Sequence, residues 1–427
     1  MRRKMDCKRS ILRQKVFRLL LLWAIMSASA AISFKNVMVL APMVRVSNLP
    51  LRLLSLEYGA DLVWSEELIA RKIANSVRIE NKRLGTIEYF SKDAQHFRVF
   101  QTCEAERGKV ILQMGVSTPE DALAAAKVVA GDVAGIDINM GCPKHFSVSG
   151  GMGAALLKAP DTACAIVKTL KENLDIPVTC KIRLLESHEE TVSLMQRLEA
   201  AGADAITVHC RYISQRPREP AHWDQLKLLA AAVKVPVLGN GDVYSYEDGQ
   251  RWIKMSGCAG VMVARGAGEN PSCFRKDGPL PVAETLRAHC IKCIEYEEVY
   301  QNMKYLYTRM FSQVSVPGSQ IFDAFSAAKS RRAIAELLHC DNLFDSLIEK
   351  RGRYGPVEMD GWGTGAVDHP EYDGEVLQAA KKRKRGEGVE ECAAAEAEPA
   401  NVHKCDKCGA EYPSRNKLFK HVRAANH

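Results

Sequence analysis

Three features are missing from this 427-residue chain, and each absence excludes a class of protein. The fourteen cysteines follow no regular framework, which argues against a disulfide-stapled secreted protein and for a reducing compartment. The longest apolar stretch, near residues 19–32, is shorter than the roughly 20 residues that a membrane-spanning helix needs. No G-x-G-x-x-G pattern opens a strand–helix unit, so a Rossmann dinucleotide site is not indicated. We therefore expect a globular protein without stable membrane association.

Positive charge is concentrated at the two ends of the chain, although the formal net charge is only +8. Residues 1–18 hold eight Lys or Arg and one acid, and residues 381–427 hold eleven against seven. The basic start, the short apolar run and the Ala-Ser-Ala-Ala stretch within residues 1–33 are typical of a targeting segment. A transit peptide, an inert extension and a secretory signal stay open. We expect a cytoplasmic protein, with nuclear import through Lys381–Arg385 as an open addition and mitochondrion or plastid as the alternative.

The middle of the chain alternates between aliphatic runs and stretches with apolar residues at helical spacing. The runs are Val37–Met43, Leu62–Leu68, Lys109–Gly115, Gly135–Met140, Pro177–Arg183, Ala205–Arg211, Pro236–Asp242 and Gly260–Gly266. Eight strand–helix units of this length predict an α/β fold, a (β/α)₈ TIM barrel over residues 34–279. An open doubly wound sheet is the alternative. The pattern further predicts a helical domain over 280–350 and a flexible linker over 351–402.

Polar residues end seven of the eight runs, and functional residues of such barrels gather at the carboxyl ends of the strands. The chain resembles the tRNA-dihydrouridine synthase family in the segments LAPMVRVSNLPLRLL, ILQMG, GIDINMGCPK, GGMGAALL, PVTCKIR, VLGNGD and VMVARG. LAPMVRV together with YGADLVWSEELI resembles in particular the eukaryotic class that modifies position 20 of the D-loop. The resemblance extends over residues 34–337, and it implies that the helical domain over 280–350 binds tRNA. It implies that FMN, reduced by NADPH, reduces the C5=C6 bond of a uridine in tRNA.

The resemblance also implies which rim residues hold the flavin. Those expected to bind FMN are Pro42, Met43, Val44, Gln113, Lys181, His209, Asn240, Gly241, Asp242, Ala264 and Arg265. Gly241 and Gly266 would let the backbone approach the phosphate, and Arg265 would pair with it. Lys181 would place a positive charge near N1 and O2 of the flavin, where negative charge develops on reduction. For His209, a neutral core histidine is the alternative.

Cys142 is the residue expected to supply a proton. In the implied reaction hydride passes from flavin N5 to C6 of uracil, and C5 then needs a proton. A free thiol has a pKa near 8.5, so at neutral pH it is mostly protonated and suits an acid. Asn139 and Arg183 are expected to bind the polar edge of the uracil. A buried structural thiol is the alternative for Cys142.

Residues 403–427 have the spacing of a C2H2-type zinc finger. The proposed ligands are Cys405, Cys408, His421 and His427. Two cysteines on a hairpin and two histidines on a following helix hold Zn²⁺ tetrahedrally without an open position, which predicts a structural metal. The basic side chains of the finger predict salt-dependent contact with a phosphate backbone. We expect it to add affinity for tRNA, with DNA or a protein as alternative partners.

Two other functions fit parts of the pattern. One is a small-molecule FMN-dependent barrel oxidoreductase, which the basic finger and Cys142 disfavour. The other is a catalytically inactive RNA-binding protein, which the presence of Lys181, His209 and Arg265 disfavours. Members of the position-20 class often carry a double-stranded RNA-binding domain, which this sequence does not show, and Cys210 stands where many members have glycine. We expect a monomer.

Overall fold

A computed structural model describes residues 32–92, 97–311 and 320–351, together with the short strands His403–Lys404 and Glu411–Tyr412. The chain divides into two compact units, residues 1–369 and 370–427. The targeting segment predicted within residues 1–33 lies outside the described residues, except for its last two positions. Nearly all of the predicted linker and the four proposed zinc ligands also lie outside them.

Parallel strands of the first unit, all within the described residues, close into an eight-stranded barrel. They are β1 Val37–Leu40, β2 Leu62–Trp64, β3 Val110–Gly115, β4 Gly135–Asn139, β5 Val178–Leu184, β6 Ala205–Tyr212, β7 Val237–Asn240 and β8 Gly260–Val263. Each strand pairs with the next one along the chain, and β8 pairs with β1, so that Val37 lies opposite Gly260. This closure confirms the predicted (β/α)₈ barrel and excludes the open sheet.

The strands are apolar on both faces, because side chains of alternate residues point into the barrel or against the outer helices. All six residues of β3 are buried, for example. The helices that follow the barrel strands are Leu49–Glu57, Ala70–Ala74, Pro119–Val129, His145–Ser149, Pro160–Asn173, His188–Ala200, Trp223–Ala231, Tyr246–Ser256 and Arg265–Glu269. Short 3₁₀ turns occur at Glu104–Glu106, Gly153–Lys158 and Pro271–Phe274. The hydroxyl groups of Thr118, Ser187 and Ser245 cap three of the helices.

A three-stranded antiparallel sheet is inserted between β2 and β3 and was not predicted. Its strands are Ser76–Asn81, Thr86–Ser91 and Arg98–Cys103. A buried ion pair links the barrel to the 3₁₀ turn that follows the third strand of this sheet, since Arg52 on the first helix donates to Glu106 at 2.7 and 2.8 Å. Arg52 also donates to the backbone oxygen of Gln101 at 2.7 Å. The inserted sheet is thereby fixed to the helix that follows β1.

Beyond the barrel the first unit continues as helices. They are Val282–Glu295, Tyr300–Phe311, Gln320–Ala327, Arg331–Leu337 and Asp341–Arg351. Arg83 of the inserted sheet pairs with Glu297 through two hydrogen bonds of 2.5 and 2.7 Å, and Lys292 pairs with Glu57 at 2.7 Å. We find no helix among residues 32–92, 97–311 and 320–351 whose length and hydrophobicity would let it cross a bilayer.

The second unit is described only at its short strands. His403–Lys404 and Glu411–Tyr412 pair in antiparallel fashion, with His403 opposite Tyr412. Cys405 and Cys408 lie between these strands in the sequence.

Candidate active site

Strand register brings the predicted residues of the central strands together at one rim of the barrel. Asn139 of β4 lies opposite Lys181 of β5, and Arg183 of β5 lies opposite His209 of β6. His209 in turn lies opposite Asn240 of β7. Because parallel strands present their carboxyl ends at the same side, these side chains surround one opening.

A cavity opens at the ends of β5 to β8, with about 560 Å³ of open space. Predicted residues that line it are Arg183, His209, Asn240, Gly241, Asp242, Ala264 and Arg265. Its lining also includes Arg211, Gln215, Arg216 and Tyr244, which the sequence analysis did not select.

One carboxylate joins two of the arginines in this cavity. Arg211 donates to both oxygens of Asp242 at 2.5 and 2.6 Å, and Arg265 also donates to Asp242. The backbone N–H of Ala221 adds a further hydrogen bond of 2.8 Å. Burial alone would raise the pKa of Asp242, but these hydrogen bonds and the two positive charges lower it. Asp242 is therefore ionised at neutral pH and orients both guanidinium groups.

The backbone at Gly241 leaves no room for a side chain. Its φ is +130°, which favours glycine, and an added Cβ would lie 2.8 Å from the Cβ of Ala221 and 3.3 Å from Nη1 of Arg211. Its carbonyl accepts a hydrogen bond of 2.8 Å from Nε1 of Trp223. The chain can thus pass tightly under the cavity and carry Asp242 toward the arginines.

His209 is neutral in this setting. Burial lowers its pKa well below the ordinary value, and the charges of Lys181, Arg183, Arg211 and Arg265 lower it further. Nη1 of Arg211 lies 3.4 Å from Nε2 of His209. Because a guanidinium can only donate, Nε2 must accept, and the proton then resides on Nδ1.

Lys181 lies deeper in the barrel, next to a buried carboxyl group. Burial lowers the pKa of Lys181 to about 8, and the charge of Arg183 acts in the same direction, while Asp137 opposes them. Asp137 itself accepts from Nε2 of Gln113 at 2.7 Å and from the hydroxyl of Thr179 at 2.6 Å. Gln113 is thus oriented by Asp137, and its side chain is buried at the end of β3.

Cys142 lies in a tight loop directly after β4. Oδ1 of Asn139 accepts from the backbone N–H groups of Gly141 and Cys142 at 2.9 and 3.1 Å. Nε of Arg183 donates to the carbonyl of Gly141 at 2.9 Å, and its Nη1 donates to the backbone carbonyl of Tyr212 at 3.0 Å. Burial raises the pKa of the Cys142 thiol, and the charge of Glu67 raises it further. The thiol is therefore protonated at neutral pH, as expected for a proton donor.

The loop after β1 reaches the same rim. The N–H of Ala41 donates to the carbonyl of Val263 at the end of β8, at 2.8 Å. Within the loop, the N–H of Met43 donates to the hydroxyl of Ser47 at 3.1 Å, and Ser47 donates to Ala41 at 2.7 Å. Pro42, Met43 and Val44 are half-buried there.

Of the residues that the sequence analysis missed, Arg211 could have been found. It lies two residues after His209 on β6, so strand alternation points both side chains to the same face. Glu67, which contacts the Cys142 loop, lies in the segment YGADLVWSEELI, but the sequence gives no sign that this residue comes near Cys142, and only the closure of the barrel brings it there.

Comparison with known proteins gives the family of this chain. The family model described as "Dihydrouridine synthase (Dus)" matches residues 39–337. The chain belongs to the dihydrouridine synthase family. The match covers seven of the eight barrel strands completely, together with the Cys142 loop, the cavity and the first helices beyond the barrel.

Two relatives in this family carry the same name, "tRNA-dihydrouridine(20) synthase [NAD(P)+]". The Schizosaccharomyces pombe protein is 42% identical over 284 residues, which cover 64% of this chain and 59% of that protein. The Saccharomyces cerevisiae protein is 37% identical over 329 residues, which cover 72% and 84%. The chain thus spans about three fifths of the length of the first relative.

Among solved structures, a morphinone reductase mutant covers 56% of this chain with 12% identity and a TM-score of 0.39. The barrel assignment rests on the strand pairing instead.

Proposed function

We propose that this protein is a tRNA-dihydrouridine synthase that uses FMN and NAD(P)H to reduce the C5=C6 bond of a uridine at position 20 of the D-loop. Its relatives in S. pombe and S. cerevisiae carry that position and that reductant in their names. The observation that carries the proposal is that the Cys142 loop, Lys181 and the cavity lined by Arg211 and Arg265 lie at the same end of the barrel. A protonated thiol, a buried ammonium group and a cationic pocket are the parts that such a reduction needs.

The cavity residues fit the phosphate end of FMN. Arg211 and Arg265 are held side by side by Asp242, and the missing side chain at Gly241 lets the backbone pass close to Arg211, since a Cβ there would lie 3.3 Å from its Nη1. Paired guanidinium groups bind phosphate through charge-assisted hydrogen bonds. His209 is neutral and carries its proton on Nδ1, so it would contact the cofactor as a hydrogen-bond donor. It would add no positive charge to the four nearby cations, Lys181, Arg183, Arg211 and Arg265.

The deeper residues fit the ring of the cofactor and the uracil. Bound FMN would supply the hydride for C6. Lys181 would keep a positive charge beside the ring, and Asp137 orients Gln113 toward the same region. Cys142 would give its proton to C5, and Arg183 would hold the polar edge of the uracil while it fixes the Cys142 loop through Gly141.

The proposal is tested with the purified full chain, an unmodified tRNA transcript and NADPH. We expect a yellow protein whose FMN is reduced by NADPH, and we expect dihydrouridine, mapped along the tRNA, at position 20. A flavin-loaded protein that oxidises NADPH but leaves every uridine intact would contradict the proposal and favour a small-molecule substrate. A colourless protein that binds tRNA would point to an inactive RNA-binding barrel.

We also infer that residues 403–427 form a zinc finger that adds tRNA affinity. The spacing of Cys405, Cys408, His421 and His427 supports this inference, and the two short paired strands flank both cysteines in the sequence. One zinc ion per chain, lost on Cys405→Ser, is the expected metal analysis. A metal content that the substitution leaves unchanged would contradict the inference.

A further inference from the structure

Glu67 is a half-buried carboxyl group that the proposed reaction does not yet use. It directly precedes the two-residue strand Leu68–Ile69, which pairs with Met114 and Gly115 at the end of β3. An added Cβ on Gly115 would lie 2.7 Å from Oε1 of Glu67. The carboxyl group therefore packs against the end of β3, at the same rim as the Cys142 loop.

Three polar side chains converge on this carboxyl group. The buried hydroxyl of Ser147 donates to Oε1 of Glu67 at 3.3 Å. The Cys142 thiol and the side chain of Asn139 lie near enough to Glu67 to lower its pKa. Asn139 accepts from the backbone of Gly141 and Cys142 at the same time, so the Cys142 loop lies beside the carboxyl group.

Gly153 makes this packing possible. A Cβ on Gly153 would lie 2.5 Å from Oγ of Ser147 and 3.1 Å from Cβ of Cys142. Its φ of +58° is also one that favours glycine. Ser147 and Cys142 thus approach each other closely across a position without a side chain, and Glu67 lies beside both.

We propose that Glu67 is a positioning residue that keeps the Cys142 thiol protonated and returns its proton after each transfer to uracil. The inference rests on the proposed function, in which Cys142 gives its proton to C5. That step breaks the S–H bond and leaves a thiolate next to the carboxyl group. The thiolate and the neighbouring carboxylate repel each other, so the pair takes up one proton. Water gives this proton to Glu67, which forms an O–H bond and leaves hydroxide in the solvent. The O–H bond of Glu67 then breaks as the S–H bond of Cys142 forms, and the carboxylate of Glu67 is restored.

The surrounding charges set the direction of the effect. Burial raises the pKa of Glu67, while its hydrogen bonds with Ser147, Cys142 and Asn139 and the charge of Lys144 lower it. Cys142 also faces Lys144 from its own loop, and Lys181 and Arg183 from β5. All three cations favour the thiolate. Within this set Glu67 is the group that favours the thiol, so removing its charge must make Cys142 more acidic.

Glu67→Gln provides the test, because glutamine keeps the shape and the hydrogen bonds but cannot titrate. Glu66→Gln is the matched control: Glu66 is also half-buried with a raised pKa, but it accepts from the N–H of Arg45 at 2.8 Å. The pH dependence of Cys142 alkylation by iodoacetamide is measured on the full chain, with Cys142→Ala marking the background. We expect the midpoint to fall by about one pH unit in Glu67→Gln and to stay in place in Glu66→Gln.

The second readout is dihydrouridine formation. With flavin reduced beforehand, a single turnover of Glu67→Gln should lose rate on the alkaline side about one pH unit earlier than the unaltered protein. Its steady-state rate should fall more than its single-turnover rate, because reprotonation of Cys142 is slowed. Unchanged alkylation and pH profiles in Glu67→Gln would overturn the inference while the proposed function stands. Alkylation does not require tRNA. A shifted alkylation midpoint in Glu67→Gln, together with no dihydrouridine formation by the unaltered protein, would therefore refute the proposed function instead.

Discussion

Replacing Gly241 with alanine should damage both stability and flavin binding, because the position is crowded and requires a positive φ. A non-glycine residue held in such a backbone region costs about 1–3 kcal/mol. The added Cβ would also lie 2.8 Å from Ala221, and relief of such overpacking costs about 1–3 kcal/mol more. We therefore expect a loss of about 3 kcal/mol in the free energy of unfolding.

The expected loss of FMN affinity follows from displacement of the Arg211 side chain. The Cβ would lie 3.3 Å from Nη1 of Arg211, so relief by that side chain disturbs its paired hydrogen bonds to Asp242. A charge-assisted hydrogen bond contributes about 1.5–3 kcal/mol, so the dissociation constant of FMN should rise at least about tenfold. Fluorescence titration with FMN measures the affinity, and urea unfolding measures the stability.

Gly257→Ala is the matched control. Gly257 also has a positive φ, of +67°, at the end of the helix Tyr246–Ser256, but nothing lies within 4 Å of an added Cβ. We expect it to cost about 1 kcal/mol and to leave FMN affinity unchanged. Equal stability losses and equal FMN affinities in the two variants would refute the reasoning that the loop at Gly241 shapes the cavity.

Further predictions concern titration and the C-terminal segment. Burial lowers the pKa of His289 to about 3, so between about 6.5 and 3 the unfolded chain binds a proton that the folded one excludes. The free energy of unfolding should therefore fall as the pH falls through this window, by about 1.4 kcal/mol per pH unit from this group. His289→Gln should flatten this slope, measured by urea unfolding at several pH values. An unchanged slope would contradict the conclusion that His289 stays neutral in the folded protein. Removing the residues after Arg385 should raise KM for tRNA at least about threefold and make this KM less salt-dependent. The rate of flavin reduction by NADPH should stay the same. An unchanged KM would count against a tRNA-binding finger.

The barrel could be predicted from the sequence because its signal is repeated. Each of the eight runs is mainly apolar, and stretches with apolar residues at helical spacing lie between most of them. The strand ends were less predictable: β1 ends at Leu40, not Met43, because Ala41 already turns into the loop that Ser47 holds. The inserted sheet over residues 76–103 was missed, although VRIEN and TIEYF alternate in polarity, because the interpretation followed only runs that are apolar throughout.

Site residues could be predicted where a polar or charged residue stands at the carboxyl end of a predicted strand. His209, Arg265 and Asp242 were placed at the mouth in this way, and the structure brings them into one cavity. Contacts that depend on tertiary closure were not predictable. Asn139 was expected to bind the uracil, but its amide oxygen accepts from the two backbone N–H groups that follow, as short amide side chains commonly do. Its role toward the substrate stays a prediction.

The most direct test of the account is a single turnover of Cys142→Ala whose flavin has been reduced beforehand, mixed with unmodified tRNA. The account predicts that this variant binds FMN and is reduced by NADPH like the unaltered protein, yet forms dihydrouridine at least about a hundredfold more slowly, since it lacks the proton donor for C5. Dihydrouridine formation at the rate of the unaltered protein would contradict it.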